Sequence, residues 1–380
     1  MANPTTTSRL QQLHDAGQSL WLDFIDRTIL RNGDLARRIR DDALTGMTSN
    51  PTIFEKALAE GTAYDAQLTA AGAEPGITPQ ALFELLETDD VRAACDAFRS
   101  IYDATRGGDG FVSIEVSPDV AGDAAHTVEE ARRLWATVNR PNVMIKVPGT
   151  TEGARAVREL TAAGINVNIT LLFAVDAHAR VIEAYLAGLE DRVRGGLPVD
   201  RLASVASFFV SRVDTEIDKR LDALAAQRTD AERTRISALK GRAAIANAKL
   251  AYRLFQQQFA GPRWTALADR GARVQRPLWA STSTKNPAYR DVMYVEQLIG
   301  PDTVNTLPPA TLEAFRDHGI VARTVDADVA GAESLLRELG TAGVSLAAVT
   351  EQLLADGIES FRKSYESLLA GLDRKAHAVA

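Results

Sequence analysis

The chain has 380 residues, of which 46% are hydrophobic and 24% are charged, and its formal net charge is -7. This balance is typical of a globular protein with a large core, and the acidic excess argues against a surface for nucleic acid or an anionic membrane. A phosphate-binding site, if the chain has one, must therefore be local.

The cysteine and histidine content indicates neither disulfides nor a metal site. The single cysteine, Cys95, excludes an intramolecular disulfide, fits a reducing cytosol and reads as a small buried helix residue. The five histidines lack ligand spacing, so we expect no metal and place each on a helix surface or at a chain end. No apolar run reaches transmembrane length and the first residues lack a secretion signal, so we expect a cytoplasmic protein that binds no membrane.

Short β-rich runs alternate with helix-patterned segments along almost the whole chain. The eight runs are SLWLDFI, LTGMTSN, GFVSIEV, NVMIKVP, INVNITLLF, LASVASFFV, RPLWAST and DTVNTLP. Eight such units with apolar strands predict an α/β fold, a single (β/α)₈ TIM barrel that forms one domain over residues 1–380. The alternative, an open doubly wound sheet, would need a glycine-rich phosphate turn, and no GxGxxG or Walker-type sequence occurs.

Three segments lie outside a minimal barrel. Residues 1–18 are expected to form a helical lead-in, with a short helix from residue 4 to residue 18. The connection from about residue 214 to residue 273 predicts a long helix with an extra helix before it, between strands six and seven. We interpret that connection either as an interface of a homo-oligomer or as padding of the barrel. The C-terminal segment predicts two closing helices, followed by a frayed tail over residues 374–380.

Polar residues occur where the predicted strands end. In a TIM barrel the active site is built at the carboxyl ends of the strands, so these residues are the candidates for function. Because side chains alternate along a strand, Asn168 and Thr170 share one face. In chain order the candidates are Asp23, Ser49, Asn50, Glu115, Lys146, Asn168, Thr170, Ser207, Phe209, Arg212, Ser281 and Lys285.

Some of these residues have a purely structural explanation. Taken singly, Ser49 and Asn50 fit a helix N-cap, since Pro51 follows as a first helical residue. Lys146, Glu115 and Asp23 resist such an explanation. An ionised group among the apolar residues of a strand costs several kcal/mol unless it is paired or neutral.

The stretch NVMIKVPGT surrounds Lys146 with strand-forming apolar residues. A lysine that is removed from water is partly a neutral amine, which can attack a carbonyl and form a Schiff base. Two enzyme classes use this chemistry: aldolase-type enzymes and pyridoxal-phosphate enzymes. The second class would need a glycine-rich phosphate cup after strands seven and eight, and STSTKN and NTLPPA lack such glycines.

Five segments together span nearly the whole predicted barrel: GMTSNPTIFEKA, NVMIKVPGTTEGARAVRELTAAGINVNITLLF, WLDFID, VSIEVSP and ASFFVSRVDTEID. All five resemble segments of the transaldolases. The resemblance implies a barrel of the class I aldolase type and transfer of a dihydroxyacetone unit in the pentose phosphate pathway. The expected reaction converts sedoheptulose 7-phosphate and glyceraldehyde 3-phosphate to erythrose 4-phosphate and fructose 6-phosphate, without cofactor or metal.

The resemblance also implies catalytic roles. Lys146 matches the Schiff-base lysine, which would attack the C2 carbonyl of a ketose phosphate. Glu115 and Thr170 match the pair that handles a catalytic water and the protons of dehydration. Asp23 matches the acid and base that takes the proton of the C4 hydroxyl when the C3–C4 bond breaks. These roles fit the chemistry, since dehydration needs a proton donor beside the amine and cleavage needs a base two carbons away.

Substrate-binding roles follow from the same resemblance. Asn50 and Asn168 match amides that hold substrate hydroxyls, and Ser207 with Arg212 matches a phosphate-binding pair. Lys285 stands where many transaldolases have an arginine, so the two-pronged geometry of a guanidinium is lost there. The complete set of expected binding residues is Ser49, Asn50, Asn168, Ser207, Phe209, Arg212, Ser281 and Lys285.

Two rival functions remain. A fructose-6-phosphate aldolase of the same superfamily would release free dihydroxyacetone. Related aldolases have a tyrosine after strand six, whereas Phe209 has no hydroxyl to donate a proton, which favours transfer. A barrel that merely binds sugar phosphates would be expected to have lost Lys146, Glu115 or Asp23, and the chain has all three.

Overall fold

The computed structural model describes residues 7–59, 61–72 and 76–379. Eight parallel strands close into one barrel in sequence order, with the last strand paired to the first. Each predicted β-rich run overlaps one strand, so the (β/α)₈ barrel is confirmed. The strands are β1 (Gln18–Asp23), β2 (Leu44–Thr48), β3 (Phe111–Glu115), β4 (Val143–Pro148), β5 (Val167–Leu172), β6 (Ser204–Phe209), β7 (Gln275–Ala280) and β8 (Thr303–Leu307).

Helices surround the barrel and fill the connections. In the described ranges they are α1 (Arg9–Asp15), α2 (Arg27–Arg31), α3 (Asp34–Asp41), α4 (Pro51–Ala59), α5 (Asp65–Gly72), α6 (Pro79–Ala97), α7 (Arg99–Ala104), α8 (Ala124–Val138), α9 (Thr151–Ala163), α10 (Val175–Arg194), α11 (Ser211–Ala225), α12 (Asp230–Ser237), α13 (Ala243–Gln258), α14 (Pro262–Ala268), α15 (Met293–Glu296), α16 (Pro309–His318), α17 (Val329–Ala342) and α18 (Leu346–Val379). A 3₁₀ turn, Pro118–Val120, precedes α8.

The turn after β4 shows how local sequence sets a strand end. The side chain of Thr150 accepts a hydrogen bond from the Gly153 amide at 2.9 Å and so caps α9. A Cβ at Gly153 would lie 1.8 Å from the Pro148 carbonyl oxygen, so only glycine permits this close turn. The helix therefore starts within three residues of β4 and holds the end of that strand in place.

The interior below the carboxyl ends of the strands is filled by aromatic side chains. The rings of Trp21 and Phe111 lie 6.4 Å apart between centroids. A Cβ at Gly46 would lie 2.5 Å from Trp21 Nε1, so a glycine on β2 makes room for the indole. Trp21 Nε1 donates to Asp109 at 2.9 Å, which fixes the ring. The barrel is thus a packed core, and the predicted site residues lie at the carboxyl termini of its strands.

The N-terminal lead-in differs from the prediction. Its helix covers only Arg9–Asp15, and Gln18 already belongs to β1. Residues 1–6 of the lead-in lie outside the described residues. That residues 1–380 form a single domain stays a prediction.

The C-terminal segment is one helix of 34 residues, so the prediction of two closing helices is wrong. The helix passes through Gly357, where a Cβ would lie 2.9 Å from a methyl group of Leu171 at the end of β5. Further along, Ser364 and Thr52 share a hydrogen bond of 2.8 Å. Helix α18 therefore crosses the carboxyl end of the barrel, and the tail expected to fray from residue 374 is helical as far as Val379.

The connection between β6 and β7 confirms the predicted extra helices. Helices α12 and α13 correspond to the expected pair, and α14 is an additional helix that sequence reasoning did not identify. Cys95 is buried in α6, as expected. His178 is fully buried beside Phe208, so its prediction as a surface or terminal residue is wrong. None of the helices in the described ranges is both long and apolar enough to cross a membrane.

Candidate active site

Strand register places the main polar residues side by side at the barrel mouth. Glu115 on β3 pairs with Lys146 on β4, and Lys146 pairs with Asn168 on β5. Two residues further along, Pro148 pairs with Thr170. Because paired positions of parallel strands lie at one level, three neighbouring strands present a carboxylate, an amine and an amide in a row.

Lys146 is buried, with 5% of its surface exposed. Its Nζ donates to the carbonyl oxygen of Ser49 at 2.8 Å and lies 3.0 Å from Glu115 Oε2. The Ser49 hydroxyl donates to the Ser113 carbonyl at 2.9 Å, which ties the end of β2 to β3. The amine is thus held in a fixed direction by one backbone carbonyl and one carboxylate.

Glu115 has the environment of a proton carrier. Its side chain is 7% exposed. Burial raises the pKa of Glu115, and the nearby charge of Lys146 partly opposes that rise. A carboxyl with a raised pKa exchanges protons with a neighbouring amine more readily than an exposed glutamate near neutral pH.

Thr170 contributes a hydroxyl that is not used within the protein. Its Oγ1 is buried and has no hydrogen-bond partner among the described residues. Leaving such a group unpaired costs about 1–3 kcal/mol, so the position suits a substrate atom or a bound water. It lies one level above the pair formed by Lys146 and Asn168.

Asp23 is the second carboxyl of the mouth. It accepts a hydrogen bond from Thr48 at 2.8 Å, and the Thr48 hydroxyl also lies 2.7 Å from the hydroxyl of Thr306. Burial raises the pKa of Asp23, while Lys146, Thr48, Arg212 and Lys285 each lower it. Asp23 therefore lies within electrostatic reach of all three cations at the mouth.

Thr48 and Thr306 were not among the predicted site residues. Their position at strand ends was the available signal in the sequence. Other threonines of the barrel strands share that position, so it does not single out these two. Only the pairing of β1 with both β2 and β8 brings the two hydroxyls to the carboxyl of Asp23.

Asn168 and Ser207 belong to one chain of hydrogen bonds inside the barrel. Ser207 donates to Asn168 Oδ1 at 2.7 Å, and Asn168 Nδ2 donates to Ser113 at 2.9 Å. Ser207, which the resemblance coupled to Arg212, is thus hydrogen-bonded to Asn168 instead. These two hydrogen bonds fix the orientation of the Asn168 amide, with its oxygen toward Ser207 and its nitrogen toward Ser113.

Arg212 is half-buried at the start of α11. Its guanidinium lies over the ring of Phe209, with Cζ 5.0 Å from the centroid, and Phe209 packs against Phe173. Among the described residues it has no ion-pair or hydrogen-bond partner. Burial lowers the pKa of Arg212, and Asp23 and Glu115 oppose that shift. A half-buried, unpaired guanidinium at a helix start is suited to binding an anion.

Ser281 and Lys285 follow β7 beside Arg212. Ser281 has a left-handed φ of 55° and its hydroxyl lies 2.9 Å from that of Ser211. A non-glycine residue in this region is strained, and such strain is concentrated at functional sites. Lys285 is exposed and donates to Ser283 at 2.9 Å.

Asn50 caps the amino end of α4, as its place before Pro51 predicts. Its Oδ1 accepts a hydrogen bond from the amide of Ile53 at 3.0 Å, in the first turn of α4. Ser49, by contrast, does not cap the helix, because its hydroxyl is bonded to β3. The side chain of Asn50 lies beside the mouth by virtue of its place between β2 and α4.

The barrel and this site define a class of protein. A buried amine beside a carboxyl and an unpaired hydroxyl, with a second carboxyl and cations at the rim, is the equipment of an enzyme that forms a lysine Schiff base with a phosphorylated carbonyl compound.

Comparison with known proteins agrees with this class. The family model described as transaldolase/fructose-6-phosphate aldolase matches residues 20–372. The chain is 48% identical to "Transaldolase" of Thermobifida fusca over 98% of this chain and 99% of that protein. It is 48% identical to "Transaldolase 1" of Streptomyces coelicolor over 97% of this chain and 95% of that protein. With "Transaldolase 2" of Nostoc sp. it shares 45% identity over 98% of this chain and 99% of that protein. The chain belongs to the transaldolase/fructose-6-phosphate aldolase family.

Proposed function

We propose that this protein is a transaldolase that moves a dihydroxyacetone unit from a ketose phosphate to an aldose phosphate through a Schiff base on Lys146. The donor is sedoheptulose 7-phosphate and the acceptor is glyceraldehyde 3-phosphate. The observation that carries the proposal is the 3.0 Å pair of Lys146 and Glu115 beside the unpaired hydroxyl of Thr170. The names of the relatives support the same reaction.

Schiff-base formation uses Glu115 as the carrier of protons. The Lys146 ammonium gives a proton to Glu115, and the free amine attacks C2 of the ketose. The carbonyl oxygen takes up that proton, and the nitrogen returns one proton to Glu115. Glu115 then protonates the new hydroxyl, which leaves as water and yields the iminium ion. Thr170 supplies the hydroxyl that holds this water.

Cleavage of the sugar uses Asp23. The carboxylate takes the proton of the C4 hydroxyl, the C3–C4 bond breaks, and its electron pair is accepted by the iminium to give an enamine. The aldose phosphate leaves, and the reverse sequence joins the three-carbon unit to the acceptor aldose. Its bond to Thr48 keeps Asp23 oriented toward the mouth.

Phosphate recognition falls to the side of β6 and β7. Arg212 has no anionic partner within hydrogen-bond distance, so a phosphate can take both of its donor edges. The amino end of α11 and the hydroxyl of Ser281 lie next to it, and Lys285 adds a point charge from the rim. Asn50 and Asn168 remain the proposed contacts to sugar hydroxyls.

The absence of a hydroxyl at Phe209 favours transfer over release. Protonation of the enamine followed by hydrolysis would free dihydroxyacetone, and that route needs a proton donor near the enamine. Phe209 presents only its ring, which is covered by the guanidinium of Arg212. This geometry protects the enamine until an acceptor aldose arrives.

A coupled assay tests the proposal. Wild type and Lys146→Ala are compared with sedoheptulose 7-phosphate and glyceraldehyde 3-phosphate, with erythrose 4-phosphate as the measured product. Lys219→Ala, whose side chain is 79% exposed, serves as the control. Activity that requires both sugars and is lost only in Lys146→Ala supports transfer. Cleavage of fructose 6-phosphate without any acceptor would identify an aldolase, and no reaction in a folded protein would identify a binding barrel.

This function implies a cytoplasmic location, where sugar phosphates are made and used. Homo-oligomer formation through the connection between β6 and β7 stays a prediction. Light scattering of wild type and of a chain with charges introduced on α12 measures it directly.

A further inference from the structure

A cavity of about 310 Å³ lies behind the active site, between α6, α8 and α18. Glu115 lines it from β3, and Glu87, Phe83 and Tyr365 line it from the surrounding helices. Among the described site residues that are proposed to be catalytic, Glu115 is the one that borders this cavity. Glu115 therefore contacts Lys146 and also lines a separate polar space.

Glu87 is the unusual residue of this cavity. It lies on α6 with only 5% of its surface exposed. Within the described ranges its carboxyl forms neither a hydrogen bond nor an ion pair. A buried carboxylate without a partner is strongly disfavoured, so the carboxyl must be neutral or must bond to water in the cavity.

Most of the other acids near Glu87 have partners. On α6, Glu84 is paired with Arg133 of α8, and Asp90, which does not line the cavity, is 2.8 Å from Arg27. On α8, Glu130 accepts the Ser117 amide at 3.0 Å. His126 and Glu129 of α8 line the cavity from exposed positions, and Tyr365 is the titratable group that α18 presents. Because Glu115 is paired with Lys146, Glu87 is the buried acid of this lining that has no partner among the described residues.

The charges that surround Glu87 are nearly all negative. After burial, the carboxyls of Glu115, Glu84, Glu130 and Asp90, in that order, raise the pKa of Glu87 well above its usual value. Two carboxyls that share a small space do not both ionise at neutral pH. Because Lys146 stabilises the negative charge on Glu115, the proton of the pair resides on Glu87.

We propose that Glu87 is a positioning residue of this active site, a carboxylic acid that remains protonated at neutral pH and, across the cavity, sets how strongly Glu115 holds its proton. This inference rests on the role proposed above for Glu115. While Glu87 is neutral, Glu115 is balanced by Lys146 alone and can cycle between its two protonation states. When Glu87 ionises at alkaline pH, its charge holds the proton more tightly on Glu115, so Glu115 gives that proton less readily to the hydroxyl that must leave as water.

The cavity has the size and lining for this coupling. It can hold several water molecules, each of which needs two to four polar partners, and Glu87 and Glu115 are both among the residues that line it. No sugar phosphate is expected to enter, since Glu84, Glu87 and Glu130 give the space a negative potential. The carboxyls of the described residues are not arranged as a metal site.

The pH dependence of Schiff-base formation tests the proposal. Rates of formation of the borohydride-trapped adduct with fructose 6-phosphate are measured from about pH 6 to about pH 10 in wild type, Glu87→Gln, Glu87→Asp and Glu129→Gln. Glutamine copies the shape of neutral Glu87 but cannot ionise. We expect the ratio of the Glu87→Gln rate to the wild-type rate to rise about fivefold or more toward alkaline pH. Glu87→Asp, which still titrates, and the control Glu129→Gln, which removes an exposed acid of the same cavity, retain the wild-type profile.

A stability measurement gives a second readout that needs no activity. Burial raises the pKa of Glu87 in the folded chain above its value in the unfolded chain. Between these two pKa values the unfolded chain has lost the proton that the folded chain still binds, so wild type loses stability as the pH rises. Glu87→Gln does not titrate. The urea concentration at the unfolding midpoint of Glu87→Gln should therefore increase relative to that of wild type as the pH rises from about 5.

The outcomes separate this inference from the proposed function. A constant rate ratio across the pH range, or a stability difference that does not change with pH, overturns the assignment of Glu87. A wild type that forms no adduct at all refutes the proposed function, and with it the link to Glu115. The unfolding series would still show in that case whether Glu87 is protonated.

Discussion

The two sides of the barrel mouth hold their polar side chains in different ways. On the side of β3 to β5, Glu115, Lys146 and Asn168 lie in strand register. Glu115 and Lys146 are paired with each other, and Asn168 is held by the hydroxyls of Ser113 and Ser207. On the side of β6 and β7, Arg212 and Lys285 lie on segments that follow the strands and face no anion within bonding distance. The charged groups of the first side already have partners within the protein, whereas those of the second side have no anionic partner among the described residues until a ligand binds.

This difference assigns separate tasks to the two sides. Groups that are fixed by strands are preorganised, so they can stabilise charge that develops during the reaction. Cations that lack an anionic partner gain the most interaction free energy when a phosphate binds, so we assign them to substrate binding. Substitutions on the first side should lower kcat, and substitutions on the second should raise KM.

The largest effect is expected from Lys146→Arg. Arginine keeps a positive charge beside Glu115, but its guanidinium is never neutral and cannot attack a carbonyl. We expect transfer to fall by about 10⁴-fold or more, without loss of the fold. Steady-state kinetics and circular dichroism measure both. Residual activity near that of wild type would show that the charge of Lys146, rather than its amine, matters.

Asp23→Asn should separate binding of the donor from its cleavage. The amide cannot take the C4 hydroxyl proton, so kcat should fall by about 10²- to 10³-fold. With fructose 6-phosphate, borohydride would then trap the whole six-carbon sugar phosphate on the variant, whereas on wild type it traps only the three-carbon unit. A three-carbon adduct in the variant would assign the cleavage step to another base.

Arg212→Ala should reveal the binding side. We expect KM for fructose 6-phosphate to rise about 100-fold with a small change in kcat, because a charged hydrogen bond to phosphate is lost. Arg212→Lys should recover only part of the affinity, since it lacks the paired donors. Turnover of unphosphorylated fructose should not change. A matching loss with fructose would contradict a phosphate role for Arg212.

Lys285→Ala should have a smaller effect of the same kind. An exposed ammonium is screened by salt, so KM should rise about fivefold at low ionic strength and by less at about 0.5 M salt. Lys285→Arg should bind the phosphate more tightly than wild type if Lys285 contacts it. Equal KM values for wild type, Lys285→Ala and Lys285→Arg at low salt would show that Lys285 does not bind the phosphate.

The smallest effect is a shift in pH dependence from Thr48→Val. The hydrogen bond from Thr48 lowers the pKa of Asp23, against the larger rise caused by burial. Without it the pKa of Asp23 rises further, and activity that requires the ionised carboxylate is lost at a higher pH as the solution is acidified. Profiles of kcat against pH measure the shift, with Thr48→Ser, which keeps the hydroxyl, as the control.

The sequence was sufficient to predict the side of the mouth that strands build. A lysine surrounded by Val143, Met144, Ile145 and Val147 could not be a surface residue, and the spacing of the eight runs predicted the barrel. Register then had to bring Glu115 beside Lys146, because consecutive strands of such a barrel are neighbours.

Features that depend on packing between distant segments could not be predicted. The partner of Ser207 is Asn168 on another strand, and nothing in either strand alone indicates that bond. Helix α18 runs unbroken through Gly357 because Leu171 packs closely against it, 186 positions away along the chain. Glu87 reads as one acid of an amphipathic helix, and only the assembled fold brings it into one cavity with Glu115.

Identification of the trapped lysine tests the central claim most directly. Wild type is reduced with borohydride in the presence of fructose 6-phosphate, digested and mapped by mass spectrometry, with Lys146→Arg as the control. A single three-carbon adduct on Lys146, absent from the variant, is the result that the proposed mechanism predicts. An adduct on another lysine, or no adduct in a folded wild-type protein, would contradict it.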